Sequence, residues 1–436
     1  MNSFVLSLKI GFGRFLMFVF TFLFAGYSLS SGASKEAEEA SENFIPTVRF
    51  AVCSDIHLGE GQEKNEEKFK KLFDVAYGEG KSSEYKKLDA VIVVGDMTDE
   101  GKKSEYEIFM NIVKEKMKNE TVLLSCMGNH EFIEYRDTDI SKGYEVYKEC
   151  VTEKLDTHEV FGGYHVIGVS YDCDSESLKI KKEWLKEQLD LAVADTGDKP
   201  IFVFQHPHPA LTVYGSINWA DLEVRRLLGK YSQVIDFSGH SHYNAADPRT
   251  IWQGSFTAVG TGAVTGLMGN LNYTSGDQYG YGESGSFWLV EADKEGNVRL
   301  RLYDLVSDRF FENDYYLTKE NFKAYSWGNQ KKLDTAPEFK EGTKIKVETL
   351  ESGEKAITFE KAEGYYPAES YKIIIKDEKG KTVFSNVFLS GYTRANYEKE
   401  TVVLGEIEKG SYKAKIKAYS PYSKGGKTLS LSFSVE

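Results

Sequence analysis

The sequence predicts an α/β domain followed by a small all-β domain. Three patterns carry that prediction. From Val48 to about Leu317, short continuous apolar runs alternate with amphipathic stretches at helical spacing. Most of these runs are followed at once by a cluster of polar residues. Beyond Asp334-Thr335-Ala336-Pro337 the grammar changes to strict alternation of apolar and polar residues, with no helical period.

Taken in chain order, residues 1–33 stand apart from the fold. Lys9 and Arg14 precede the apolar run Phe15 to Ala25, and the small residues Ser28 to Ala33 follow, which is the pattern of an export signal and makes the product secreted or cell-surface. The run is short for a membrane span, which needs roughly 20 residues; with Phe4 to Leu8 added, an uncleaved N-terminal anchor is the alternative. Residues 34–47 read as a solvated, acidic linker.

Within 48–333, strands buried on both faces are expected at Val48 to Cys53, Ala90 to Val94, Val122 to Met127, Tyr164 to Ser170, Ile201 to Phe204 and Val234 to Phe237. Helices are expected at Glu66 to Ala76, Ser104 to Lys118, Leu178 to Ala194 and Trp219 to Leu228. The Gly-rich, aromatic stretch after Ile251 suits hairpins such as Ser286 to Val290 with Val298 to Tyr303. In 334–436, lysines alternate with apolar residues in Lys344 to Val347 and in Tyr412 to Ala418, as in half-solvated strands. About seven such strands in roughly a hundred residues is the count of a small β-sandwich.

The chain of 436 residues is long enough for both cores, and its 28% charged and 41% hydrophobic residues are those of a globular protein. With 67 acidic against 54 basic residues the formal charge is −13, which disfavours nucleic acid as a partner. Cys53 and Cys126 lie inside apolar runs and, with Cys150 and Cys173, are read as structural thiols, since no C-x-x-C pair suggests a zinc knuckle.

The chemistry concentrates in five clusters, each following an apolar strand: Asp55-Ile56-His57, Gly95-Asp96, Gly128-Asn129-His130-Glu131, His206, and Gly239-His240-Ser241-His242. In open α/β sheets such strand ends converge, so clusters distant in sequence can share one site. Five of the eight histidines fall in these clusters. Mixed carboxylate, amide and imidazole donors without thiolate suit manganese, iron, zinc or cobalt, and a dinuclear centre fits best.

In this order, each behind a buried strand, the motifs resemble the calcineurin-like metallophosphoesterase family, over roughly residues 48 to 310. The resemblance implies a core of two packed β-sheets flanked by helices. It implies Asp55, His57 and His242 as ligands of one metal ion, Asn129, His206 and His240 as ligands of the other, Asp96 as their bridge, and His130 at the leaving or phosphoryl oxygen. Two metal ions roughly 3.5 to 4 Å apart can share a hydroxide that attacks phosphorus in line. The implied activity is that of an exported phosphoesterase acting on small mono- or diesters.

Three departures from the family pattern bear on the site. Asp99 stands where purple acid phosphatases carry an iron-binding tyrosine, Glu131 stands where Asp is more usual, and His208 competes with His206 as the ligand that ends its strand. His158 and His165 are read as surface or strand histidines, and Tyr214, Asn218 and Trp219 as pocket or packing residues. The C-terminal segment resembles a fibronectin type III or immunoglobulin-like module, which suits docking to a cell surface or wall. The competing functions are an adhesin or binding module whose β-sandwich does the work, a metal-dependent nuclease, and a metallopeptidase or amidase.

Overall fold

The computed structural model describes residues 44–173, 179–217, 220–267, 284–319 and 321–436. The expected export signal at 1–33, most of the linker, and Asn218 and Trp219 lie outside the described residues. None of the described helices is long and apolar enough to cross a membrane.

Two mixed sheets pack face to face. In the first, strands Val48–Cys53, Ala90–Val94 and Val122–Cys126 run parallel, and Ser286–Ala292 and Val298–Asp304 extend the sheet antiparallel from the other side of Val48–Cys53. In the second, Tyr164–Val169, Ile201–Gln205, Val234–Ser238 and Thr257–Gly260 run parallel, edged by the antiparallel strands Thr157–Phe161 and Ile251–Gln253. Phe50, Val52, Ile92 and Val94 of the first sheet meet Phe202, Phe204, Ile235 and Phe237 of the second in one dry layer. Helices Glu63–Ser82, Lys103–Lys116 and Ser141–Cys150 cover the outer face of the first sheet, and Lys182–Thr196 with Leu222–Leu228 cover the second. This layered α/β core explains the continuous apolar runs, because strands covered on both faces have no solvent side to alternate with.

The six strands expected to be buried on both faces form with ends shifted by at most one residue. Two helices begin later than the periodicity suggests, each for a local reason. Lys179–Ile180 pairs with Tyr171–Asp172 before the helix at Lys182 starts. At Leu222, the Asp221 carboxylate accepts from the N–H groups of Glu223 (2.7 Å) and Val224 (3.0 Å), which fixes the helix start there. Val122, expected to be covered on both faces, is exposed at the sheet edge.

From Lys346 the chain forms two antiparallel sheets, one of three strands (Lys346–Thr349, Lys355–Glu360, Lys399–Gly405) and one of four (Ser370–Asp377, Thr382–Leu389, Gly410–Tyr419, Leu429–Val435). They enclose a separate core around Ile357, Tyr371, Ile373 and Ile416. Along Gly410–Tyr419, Tyr412, Ala414, Ile416 and Ala418 are buried while Lys413 and Lys415 face solvent. All four cysteines are free.

Candidate metal centre

The parallel strands place the five clusters at one edge of the two packed sheets. Asp55 follows Val48–Cys53, Asp96 follows Ala90–Val94, Asn129 follows Val122–Cys126, His206 follows Ile201–Gln205, and His240 and His242 follow Val234–Ser238. The loops are drawn tightly together. Segments 55–58 and 95–98 run side by side through backbone hydrogen bonds from Asp55, Ile56 and Leu58 to Gly95, Asp96 and Met97, and the N–H of Gly239 reaches the carbonyl of His206. Five candidate ligands sit in the left-handed region: Asp55 (φ 52°), His57 (51°), Asp96 (50°), His240 (71°) and His242 (51°). Side chains rarely adopt this backbone, and such strain persists where the surroundings hold a functional geometry. The glycines explain how the loops approach so closely. A methyl group at Gly95 would fall on the His206 ring, at Gly128 on an Asp96 carboxylate oxygen, and at Gly239 on the Asp55 carboxylate.

The side chains form two groups that share one carboxylate. Asp55, His57, Asp96 and His242 offer ligand atoms within 4.8 Å of one another, and so do Asp96, His206 and His240. Asp96 Oδ2 lies 3.0 Å from His206 Nε2 and 3.8 Å from His57 Nε2. Asn129 Oδ1 lies 3.2 Å from His206 Nε2, and Asp55 Oδ1 lies 3.0 Å from His242 Nε2.

The tautomers fit a cation. His206 Nδ1 faces the Val94 carbonyl at 2.8 Å and His242 Nδ1 faces the Gly266 carbonyl at 3.2 Å. A carbonyl only accepts, so both Nδ1 atoms carry a proton and both Nε2 atoms point inward. His57 Nδ1 faces the Asp99 carboxylate at 3.4 Å, which gives that ring the same orientation. The Nε2 atoms of His57 and His242 then meet at 3.1 Å with lone pairs toward one point. They repel unless a proton or a metal ion lies between them.

Electrostatics point the same way. Burial opposes charge on His206, yet the Asp96 carboxylate outweighs it and raises the ring to about 10. Burial also opposes charge on Asp55, and His242 outweighs it, lowering the carboxyl to about 2. The carboxylates thus stay ionised inside the protein and demand positive charge beside them. Burial instead lowers His240 to about 4, leaving a neutral ring suited to ligation.

Comparison with known proteins agrees with this geometry. Residues 48–244 match the family model described as Calcineurin-like phosphoesterase. Together with the buried Asp/His cluster, the match supports a calcineurin-like metallophosphoesterase domain and a dinuclear metal site. A probable glycerophosphodiester phosphodiesterase, GpdQ, of Arcobacter nitrofigilis is 29% identical over 167 residues, 36% of this chain. The chain spans 57% of the length of that relative. Among solved structures, purple acid phosphatase PPD1 from yellow lupin seeds aligns at a TM-score of 0.44 with 14% identity, covering 64% of this chain and 56% of that one, too slight a likeness to argue from.

Around the two groups lie residues whose part the motifs do not disclose. Glu131 is fully buried and its carboxylate accepts from the N–H groups of Asp96 (2.9 Å), Met97 (2.9 Å), Thr98 (3.2 Å) and Gly128 (2.5 Å), so it ties the loop of Asp96 to the loop of Asn129. Its spacing to Asp96 in sequence gives no hint of this. Asp99 lies against His57, and its carbonyl accepts from His130 Nδ1 at 2.7 Å, which turns the far edge of the His130 ring away from that carbonyl. His208 is buried outside the two groups, held between Ser238 Oγ (2.9 Å) and Ser241 Oγ (2.8 Å). His158 and His165 bond to each other at 2.7 Å on a hairpin, and through Gln188 and Asp195 to the neighbouring helix, apart from the centre. A cavity of about 360 Å³ lined by Pro200, Gln233 and Val234 opens at the opposite ends of the parallel strands.

Proposed function

We propose that this chain is an exported, metal-dependent hydrolase of small phosphate esters, working at the centre of Asp55, His57, Asp96, Asn129, His206, His240 and His242. The observation that carries the reading is the sharing of Asp96 by two convergent groups of ligand atoms. When bound, two transition-metal ions supply Lewis acidity toward a phosphoryl group and lower the pKa of water at the centre. Asp55, His57 and His242 would hold one ion and Asn129, His206 and His240 the other, with Asp96 between them. Neutral Asn129 adds a donor without adding negative charge where an anionic ester must dock. His130 is held at Nδ1 by the Asp99 carbonyl, so Nε2 is the atom free to exchange a proton with the leaving oxygen. The relative named as a probable glycerophosphodiester phosphodiesterase makes diesters the first class to assay. The export pattern in residues 1–33 supports action outside the cytoplasm, which fractionation of the expressed full chain checks. The three-plus-four-stranded sheets support the likeness of the C-terminal segment to a fibronectin type III module.

Protein stripped of metal and reloaded with Mn, Zn, Fe or Co is assayed on para-nitrophenyl phosphate and on its bis-ester. Metal-dependent release of nitrophenol from at least one ester is expected. Stoichiometric metal uptake with neither ester cleaved would remove the hydrolase reading. Replacing His130 by Ala should lower turnover by roughly 10²- to 10⁴-fold while metal content stays at the wild-type level, as measured by elemental analysis; loss of metal with activity would instead make His130 a ligand.

A further inference from the structure

The C-terminal sheets reach the loop that carries two of the proposed ligands. Directly after His242, the Tyr243 ring packs edge-on against Tyr214, with centroids 4.7 Å apart. The Tyr214 hydroxyl donates to Glu369 Oε1 at 3.2 Å, and the Arg249 guanidinium lies 3.8 Å above the Tyr214 ring while pairing with the same Glu369 carboxylate. Arg249 also pairs with the fully buried Asp247 at 2.6 Å, and Asp247 accepts from the hydroxyl of Tyr392 at 2.9 Å. The N–H of Tyr214 bonds the Arg249 carbonyl at 3.0 Å, so segments 213–216 and 240–250 form one unit. A methyl group at Gly215 would stand 2.6 Å from Ser241 Oγ and 3.0 Å from the Tyr243 ring, which shows how closely they pack. Glu369 itself is anchored on the other side, its N–H on the Tyr419 carbonyl and its carbonyl on the Ser390 N–H, each at 2.8 Å.

We infer that Glu369 is a positioning residue for the metal centre: through Tyr214 and Arg249 it locks the loop bearing His240 and His242 against the C-terminal sheets. The inference rests on the metal reading of the centre given above. It makes the C-terminal segment a working part of the hydrolase, because a charge pair withdrawn from water across this junction holds one geometry where separate surfaces would slide. Ligands held by outer contacts typically lose roughly 10- to 100-fold in metal affinity when those contacts are removed.

The test compares the full-length protein with Glu369→Ala, Glu369→Gln and Ser420→Ala. Ser420 is likewise buried in the C-terminal segment, bonding Asp334 Oδ2 at 2.7 Å at the segment's start, but ends outside the loop. In metal-free protein, amide exchange across residues 239–246 should quicken in Glu369→Ala and stay at the wild-type rate in Ser420→Ala. Titration with Mn(II) should show roughly tenfold weaker binding for Glu369→Ala, most of the affinity restored in Glu369→Gln, and no change in Ser420→Ala. Unaltered exchange in Glu369→Ala, or equal changes in Glu369→Ala and Ser420→Ala, overturns the positioning role. A wild-type protein that takes up no Mn(II) would overturn the metal reading, while the exchange rates still judge the lock.

Discussion

Glycine does opposite work at the two ends of this chain. At the metal centre, Gly95, Gly128 and Gly239 each touch a candidate ligand so closely that a single methyl group would displace it. In the C-terminal sheets, Gly342, Gly353, Gly380 and Gly405 have nothing within 4 Å of where a methyl group would stand, and all four have φ between 76° and 88°. The first set permits backbone to close over reacting groups; the second only turns a corner. The same division holds for the side chains with unusual backbone. Five candidate ligands adopt positive φ, whereas Ser423 is the one non-glycine residue to do so among residues 346–436. Strain is concentrated where ligands must converge, and the C-terminal strands carry alternating residues on relaxed backbone.

Substitutions sharpen this contrast, beginning with the carboxylate common to both groups. Asp96→Ala removes the carboxylate that faces both His57 and His206. Metal content should fall for both ions and hydrolysis by more than about 10³-fold, as expected when a charge bridging two cations is lost; a variant that keeps both metals would make Asp96 a bystander. Next is Gly128→Ala, which removes no candidate ligand but pushes Asp96 and crowds the His206 ring. A displacement near 1 Å at a reacting centre costs about 100-fold in rate, so kcat should fall by about that factor while the circular-dichroism spectrum is unchanged.

Much of the centre can be read from residues 55 to 242 because its parts are local. Strands covered on both faces leave continuous apolar runs, and each candidate cluster falls immediately after one, so Asp55, Asp96, Asn129, His206 and His240 announce themselves as candidates by position. Position favours His206 over His208, because His206 directly ends the strand, but it does not settle the choice. Alternation along the chain says nothing about which ring meets Asp96, and the geometry separates them: His206 Nε2 meets Asp96, while two serines hold His208 away from it. Glu131 and Asp99 act on groups about 30 residues away, through backbone N–H and carbonyl atoms that carry no sequence identity. The short helix Ser141–Cys150 is absent from the periodicity because it has no capping side chain and buries only Gly143 and Tyr147. The lock of Arg249 on Glu369 spans 120 positions and leaves no spacing to detect.

The smaller predicted effects lie in the C-terminal sheets. Gly353 closes the hairpin between Lys346–Thr349 and Lys355–Glu360, with its N–H on the Leu350 carbonyl at 2.9 Å. Gly353→Ala meets no neighbour, so its whole cost is the left-handed backbone, about 1 kcal/mol in chemical denaturation, and metal affinity should not move. A larger loss would mean that the turn is packed against something the contrast with Gly128 denies.

The least effect is expected at Lys415, whose neighbours in the strand, Ala414 and Ile416, are both buried. Alternation gives Lys415 to solvent, where a threonine preserves the strand preference and removes one charge. Lys415→Thr should change unfolding free energy by less than about 0.5 kcal/mol and leave hydrolysis untouched. A marked drop in either would show that this lysine face is covered, and so that the C-terminal sheets have a second contact surface beyond the one that meets the loop of His240 and His242.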